Sequence, residues 1–183
     1  MKKYKKESKY SVQDLCNIAI LTAVTAVMAQ ISIPMPVGVP LTMQTFAVAF
    51  AAIVLGARNG MISMVIYLLL GAVGVPVFAN FGGGLHHLLG PTGGFLLSFP
   101  IMAWLIGWGA EHKKQKVLFV MMLIFGTSVN FIVGLVFFSF VMESTLAAAF
   151  VACVLPYLPW AVVKAVGAAV LGLKMRKRLS FIL

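Results

Sequence analysis

Acidic residues are scarce in this chain: only 4 of its 183 residues are Asp or Glu, and charged residues of both signs make up 10%. Soluble domains carry about 25% charged residues. Hydrophobic residues reach 62%, and the mean hydropathy is +1.06. The composition excludes an ordinary soluble domain and predicts an integral membrane protein, with a single domain over residues 1–183.

Cysteines and recognisable catalytic motifs are also few or absent. Cys16 and Cys153 lie in separate apolar stretches, so they predict neither a disulfide framework nor a metal site. His86 and His87 are adjacent but have no Cys, Asp or Glu nearby, and we expect no metal there either. The sequence contains no phosphate-binding loop and no catalytic constellation. We therefore predict a protein that is not an enzyme, needs no cofactor and depends on other subunits for any use of ATP.

What the chain does contain is a series of long apolar segments. Segments of about 17–25 residues are long enough to cross a bilayer. Proline-rich, glycine-rich or charged loops separate the segments from one another. The pattern predicts an all-α bundle of six transmembrane helices over residues 13–33, 41–57, 60–77, 94–110, 117–142 and 146–173.

Positive charges lie on alternate loops of this predicted topology. Thirteen of the 14 Lys and Arg residues follow the pattern, namely Lys2, Lys3, Lys5, Lys6, Lys9, Arg58, Lys113, Lys114, Lys116, Lys174, Arg176, Lys177 and Arg178. Because basic loops are retained in the cytoplasm, both termini are predicted to be cytoplasmic, with basic ends at residues 1–10 and 174–183. The same rule explains the net charge of +10 without a nucleic acid as partner.

Lys164 is the cation that this topology does not explain. It lies in an apolar run ten residues before Lys174, which is about 15 Å along a helix. An ionisable residue at such depth usually faces the bundle interior and has a partner, yet no acidic residue is expected at this depth. This leaves five alternatives for Lys164. It is neutral, it faces water, it bonds to helix-end carbonyls, its side chain extends to the membrane surface, or it binds an anionic ligand. We favour an incoming carboxylate.

Aromatic residues accompany Lys164 in the sequence. Tyr157 and Trp160 precede it by seven and four residues, which predicts that all three share one face of a helix. Aromatic rings beside a cation suit a flat or apolar ligand body, although aromatic residues are also common at the membrane interface.

Three amide side chains lie in otherwise apolar or glycine-rich segments. Asn80 is able to donate and accept hydrogen bonds at once, as binding of a urea or amide requires; a plain re-entrant turn is the alternative for its segment. Gln44 begins a helix after the proline-rich loop and is a candidate ligand contact. Asn130 is predicted to form a hydrogen bond between helices.

Small residues recur along the first span. Ala19 and Ala23 are four residues apart, with Thr22 and Ala26 beside them. This spacing allows two membrane helices to approach closely. It predicts either packing within the bundle or a docking face for another membrane protein.

In these segments the chain resembles the BioY family, the biotin-specific substrate-binding (S) components of energy-coupling-factor (ECF) vitamin transporters. The resemblance extends over nearly the whole chain. Its most specific segments are IPMPVGVPLTMQTFAV (33–48), YLLLGAVGVPVFANFGGG (67–84), LGPTGGFLL (89–97) and YLPWAVVKA (157–165).

The resemblance implies a compact S-component bundle in the cell membrane, with biotin as the transported ligand near the outer face. It implies as partners a transmembrane coupling subunit and two cytosolic ATPase subunits, which alone would bind ATP. A gating loop is expected to close over the site, and its marker residues are Pro34, Pro36, Gly38 and Pro40.

The resemblance also implies roles for individual residues. Lys164 would lie near the biotin carboxylate and Asn80 near the ureido ring, while Ala19 and Ala23 would meet the coupling subunit. The family usually has an aspartate where this chain has Ala161, and alanine cannot accept the ureido N–H groups. We therefore expect weaker biotin binding, or a substitute acceptor from Asn80 or Gln44.

Three other functions remain open on the sequence. The chain is alternatively an S component for another vitamin, an intramembrane enzyme with Lys164 as base or Schiff-base nucleophile, or an assembly protein that binds partners through its first helix.

Overall fold

The computed structural model describes residues 11–35, 38–112 and 115–182. The predicted N-terminal basic segment (1–10), Pro36 of the predicted gating loop, and Lys113 and Lys114 lie outside these residues. The described chain is mostly helical, as the sequence predicts. Its helices are α1 (Val12–Ala29), α2 (Gln44–Leu55), α3 (Ala57–Ala72), α4 (Leu85–Leu89), α5 (Gly93–Leu97), α6 (Phe99–Glu111), α7 (Lys116–Val141), α8 (Leu146–Cys153) and α9 (Leu158–Ile182).

Four helical segments of the described chain are long and apolar enough to cross a membrane: Val12–Ala29, Gly93–Glu111, Lys116–Val141 and Leu146–Arg178. The predicted spans 41–57 and 60–77 correspond to the shorter apolar helices α2 and α3. The 12 residues of α2 cover about 18 Å, against about 30 Å of bilayer hydrocarbon. Both predicted segments are too long because residues 41–42 form a strand and α3 ends at Ala72.

A short antiparallel hairpin interrupts the all-helical pattern that the sequence predicts. Strand β1 (Ser32–Ile33) pairs with β2 (Leu41–Thr42), with Ser32 opposite Thr42. The predicted gating loop 34–40 is the connection between these two strands. Its ends are therefore held together by backbone hydrogen bonds.

Prolines divide the last predicted span, 146–173, into two helices. Helix α8 ends at Cys153, a 3₁₀ turn covers Leu155–Tyr157, and α9 begins at Leu158. Pro156 and Pro159 lack the backbone N–H that a continuous helix needs, and their rings clash with the preceding turn. The predicted span 146–173 is therefore built from two helices, and together they belong to the spanning segment Leu146–Arg178.

Helix α2 is the centre of the bundle. It packs against α1, α3, α6 and α9, and its alanine-rich sequence allows these neighbours to come close. Most of its residues are buried, including Ala47, Val48 and Ile53. By contrast, α1, α7 and α9 expose apolar side chains on their outer faces, as lipid contact requires.

The junction between α2 and α3 is held by two other helices. Gly56 adopts a φ of 85° there, in the left-handed region that glycine tolerates best. The Glu111 carboxylate accepts the backbone N–H of Ala57 at 2.8 Å, and the Arg176 guanidinium donates to the Ile53 carbonyl at 2.7 Å. Side chains of α6 and α9 thus satisfy backbone groups that the adjoining helix ends leave unpaired.

Helix α6 approaches this junction so closely that it has room only for glycine at one position. A Cβ added to Gly107 would lie 2.5 Å from the Ala57 nitrogen, whereas one added to Gly167 on α9 would meet its nearest atom at 3.4 Å. We predict that Gly107→Ala destabilises the protein by about 1–3 kcal/mol, since backbone must move. Thermal unfolding in detergent measures this effect.

Gly167→Ala is the matched control, because it adds the same methyl group to a helix with ordinary contact distances. Its midpoint should stay unchanged or rise, since alanine favours helix over glycine by about 1 kcal/mol. Equal losses for the two variants would contradict the proposed close approach at Gly107.

Candidate functional site

A cavity of about 220 Å³ lies between the hairpin, the start of α2, and helices α5 to α9. Its size is near the lower end of small-molecule sites, which are about 300–1,000 Å³. The structure brings together on its wall most of the residues that the sequence singles out: Gln44, Asn80, Tyr157, Ala161 and Lys164, with Gly38 and Pro40 of the predicted gating loop.

Lys164 provides the positive charge of this cavity. Its Nζ donates to the Thr42 carbonyl oxygen of β2 at 3.0 Å, and the described residues give it no ion pair. No Asp or Glu is among the described residues of the wall. A carbonyl dipole does not neutralise an ammonium, so the cavity is suited to an anionic group.

Tyr157 connects the same helix region to the hairpin loop. Its hydroxyl donates to the Val39 carbonyl oxygen, and the residue is buried. Together with the bond from Lys164 to Thr42, this contact fastens the second half of the hairpin to the start of α9. The hairpin residues on the cavity wall are therefore held by two other residues of the same wall.

Gln44 lies on the wall, but its amide is already occupied at both ends. Its Nε2 donates to the Tyr67 hydroxyl at 2.7 Å, which in turn donates to the Val77 carbonyl at 2.8 Å. Its Oε1 accepts from the Thr42 hydroxyl at 3.1 Å. This relay joins the start of α2 to α3 and to the segment before Asn80, and it gives Gln44 a structural role in this state.

Asn80 stands at the mouth of the cavity in a tight turn. Its φ of 56° and ψ of 39° are left-handed, a conformation that asparagine tolerates better than most residues. The turn is fastened by Gln30, which donates to the Phe78 carbonyl at 3.1 Å and accepts the Phe81 N–H at 2.8 Å. Asn80 itself is exposed.

Trp160 and Pro34 do not lie on the described wall. Trp160 is 54% exposed, because the wall face of α9 runs through Ala161, Lys164 and Ala165. Trp160 precedes Ala161 by one residue, so it points about 100° away around the helix. Trp160 and Lys164 are four residues apart, about 40° around the helix, so their spacing agrees with the predicted shared face, and a ligand contact by Trp160 stays a prediction.

Helix α7 contributes wall residues whose spacing was a usable signal in the sequence. Thr127, Asn130 and Phe131 lie on the cavity at the three- and four-residue intervals of one helical face. Asn130 forms the predicted contact between helices, since its Nδ2 donates to the Phe95 carbonyl at 2.9 Å and to the Ser98 hydroxyl at 2.8 Å. Other wall residues that the sequence analysis did not select are Thr45, His87, Thr92 and Phe95.

Ala19 and Ala23 lie apart from this cavity, in an apolar groove between α1 and α3. Thr22 beside them bonds to Ser63 of α3 with an oxygen–oxygen distance of 2.8 Å. Part of the small-residue pattern in α1 thus serves packing within the bundle. Ala19 and Ala23 are exposed on the open surface of the groove, whereas Ala26 is half-buried against the core.

Comparison with known proteins gives a consistent result. The model of the BioY family matches residues 2–181. The chain is 38% identical to a probable biotin transporter BioY of Pyrococcus horikoshii, over 87% of this chain and 93% of that protein. It is 37% identical to the biotin transporter BioY of Thermotoga maritima, over 91% and 97% of the two chains.

A solved structure is also similar. It is the S-component for biotin from an ECF-type ABC transporter, and it superimposes with a TM-score of 0.81 at 28% identity. The alignment covers 91% of this chain and 92% of that one.

The relay through Tyr67 provides a test of how the cavity is built. We predict that Tyr67→Phe lowers stability by about 1–3 kcal/mol, because the Val77 carbonyl and the Gln44 amide lose a buried partner. Thermal unfolding without ligand measures the effect. Thr127→Val is the control: its hydroxyl donates to Leu123 of its own helix, so its loss should be smaller. A Tyr67→Phe variant as stable as the parent would contradict the relay.

Proposed function

This chain belongs to the BioY family, and on that premise we propose that it takes up biotin as the S component of an ECF transporter. It is a multi-pass membrane protein and a transporter component, not an enzyme. The observation that supports biotin most directly is the cavity with Lys164 on its wall, because it pairs an apolar enclosure with one unneutralised cation.

Lys164 receives the carboxylate of biotin. The ammonium already lies on the wall at 3.0 Å from the Thr42 carbonyl oxygen, and a carboxylate offers it both a hydrogen bond and a full opposite charge. The exchange of a carbonyl for a carboxylate in a poorly hydrated site favours the charged form of the ligand. Pairing with the cargo also supplies the counter-ion that the described wall lacks.

Asn80 is placed to meet the polar ring of the ligand at the cavity mouth. A ureido group has both N–H donors and a carbonyl acceptor, and an amide side chain complements both. The left-handed turn presents this side chain next to Ala79 and Phe78. Phe78, Phe95 and Phe131 of the wall surround the apolar body of the ligand.

The loop 34–40 acts as the gate. Its second half is fastened through Val39 and Thr42 to Tyr157 and Lys164. When the carboxylate binds Lys164, it competes with Thr42 for the same ammonium and so changes the hold on the hairpin. Ligand occupancy and loop position are thereby linked through one side chain.

We place the protein in the cell membrane as six transmembrane helices with both termini in the cytoplasm. The distribution of Lys and Arg supports this topology. On this reading α2 and α3 are spans shorter than average, joined at Gly56 on the cytoplasmic side. Helix α2 lies against α1, α6 and α9, and α3 lies against α1 and α6.

Uptake requires partners that bind ATP. We propose a transmembrane coupling subunit and two cytosolic ATPase subunits, with biotin itself as the transported ligand and no bound cofactor. The open side of the groove at Ala19 and Ala23 is the docking face for the coupling subunit, since its small residues permit close helix contact.

The ion pair with Lys164 has a direct test. Lys164→Met should weaken biotin binding about tenfold to a thousandfold, because it removes a charge-assisted hydrogen bond in a poorly hydrated cavity. Calorimetric titration in detergent measures the affinity. Biotin amide, which has no carboxylate charge, should lose much less. Lys174→Met, on the exposed end of the same helix, is the control and should bind both ligands normally.

Position 161 has its own prediction. Ala161→Asp places a strong acceptor on the cavity wall, and it should tighten biotin binding by about tenfold, the worth of a hydrogen bond to a charged group. Ala161→Leu fills similar space without an acceptor and should weaken binding. Unchanged or weaker binding by the Asp variant would contradict an acceptor role for position 161, since the ligand has a second ureido N–H that a single acceptor elsewhere does not occupy.

A further inference from the structure

We propose that Asn130 is a ligand-binding residue, whose Oδ1 accepts a hydrogen bond from one ureido N–H of bound biotin. The inference rests on the proposed function and names the acceptor that Ala161 does not provide. Asn130 thereby combines two roles, since its Nδ2 holds two helices together and its Oδ1 serves the cargo.

Gln44 does not fill the acceptor role in this structure. Its Oε1 is occupied by the Thr42 hydroxyl and its Nε2 by Tyr67. A ligand N–H at Gln44 would have to share an oxygen that is already hydrogen-bonded, on a side chain whose other end is part of the relay to the Val77 carbonyl. The expectation that Gln44 substitutes for an aspartate stays a prediction, and an acceptor without a donor already bound to it is better placed for this role.

Asn80 is suited to the outer side of the ligand only. It is exposed at the mouth, where water competes for every hydrogen bond and the net gain is small. An acceptor that distinguishes biotin strongly from ligands without the N–H has to lie in the closed part of the cavity. There, a ligand N–H without a protein partner cannot form a hydrogen bond to water instead.

Asn130 meets that requirement. It is 1% exposed and lies on the cavity wall. Because the Phe95 carbonyl can only accept a hydrogen bond, the atom facing it at 2.9 Å has to be the Nδ2 of the amide. The Oδ1 is therefore directed away from Phe95, and no described residue donates to it.

The surroundings of Asn130 fit a flat ring. Phe95 and Phe131 both lie on the cavity wall. The Phe95 carbonyl accepts from Asn130, and Phe131 follows Asn130 in the chain. Their ring centroids are 6.5 Å apart, with an interplanar angle of 89°. Aromatic walls around one polar atom are typical of sites that orient a mostly apolar ligand by a few hydrogen bonds. The Thr127 hydroxyl on the same helix face donates to Leu123, which leaves the Asn130 oxygen as the stronger acceptor.

The decisive experiment combines protein variants with ligand analogues. Biotin and its two derivatives methylated on one or the other ureido nitrogen are titrated against the full chain in detergent. We expect Asn130→Leu to weaken biotin about tenfold to one-hundredfold, because a buried donor loses its partner. For one methylated derivative the same substitution should cause little further loss, since that ligand has no N–H to donate.

Ser98→Ala is the structural control, because it removes the bond between Asn130 and Ser98 without touching Oδ1. It should leave the preference for biotin over both methylated derivatives unchanged. If the Leu variant fails to fold, the parent chain itself provides the test, because an acceptor on one ureido N–H requires it to bind at least one methylated derivative more weakly than biotin. A parent chain that binds both methylated derivatives as tightly as biotin overturns the proposal.

Two further outcomes separate this inference from the function on which it rests. If Asn130→Leu weakens biotin and both methylated derivatives by the same factor, Asn130 has only its structural role and the inference is wrong while biotin binding stands. If the parent chain fails to bind biotin at all, the proposed function fails with it.

Discussion

A polar group buried inside this bundle has to find its partner within the chain, because the hydrocarbon part of a membrane contains no water to replace it. With only 4 acidic residues available, the buried donors turn to backbone carbonyl oxygens instead. Lys164 bonds to Thr42, Arg176 to Ile53 and Asn130 to Phe95. These contacts hold loops and helix ends in place, and they leave the cationic charge of Lys164 available to a ligand.

The helical segments and the unusual position of Lys164 were predictable, because both follow from hydrophobicity and charge along the chain. The points at which helices end or a strand interrupts them were less predictable. The prolines near residue 156 marked a disturbance, but not whether α8 and α9 would separate. The hairpin at Ser32 was missed since two-residue strands leave no periodicity to detect. Its pairing depends on contacts with distant parts of the chain.

The sequence predicts which residues line the cavity better than it predicts their hydrogen bonds. Lys164, Tyr157 and Ala161 lie together on the cavity wall as their spacing predicts, whereas Trp160 is 54% exposed and does not line the cavity, although it is four residues from Lys164. Gln44 was expected to be available and is instead held by Tyr67, 23 positions along the chain. Spacing within one helix cannot reveal a partner on another, and for that reason the role of Asn130 emerges only from the packed structure.

Gln30 has a mechanical consequence. It lies at the C-terminal end of α1, and its amide forms hydrogen bonds to the backbone on both sides of Asn80. A single side chain thus links the first helix to the rim of the cavity. Any rocking of α1 must carry that turn along or break two hydrogen bonds. The helix bearing Ala19 and Ala23 is thus mechanically connected to the turn bearing Asn80, although the two lie in different parts of the molecule.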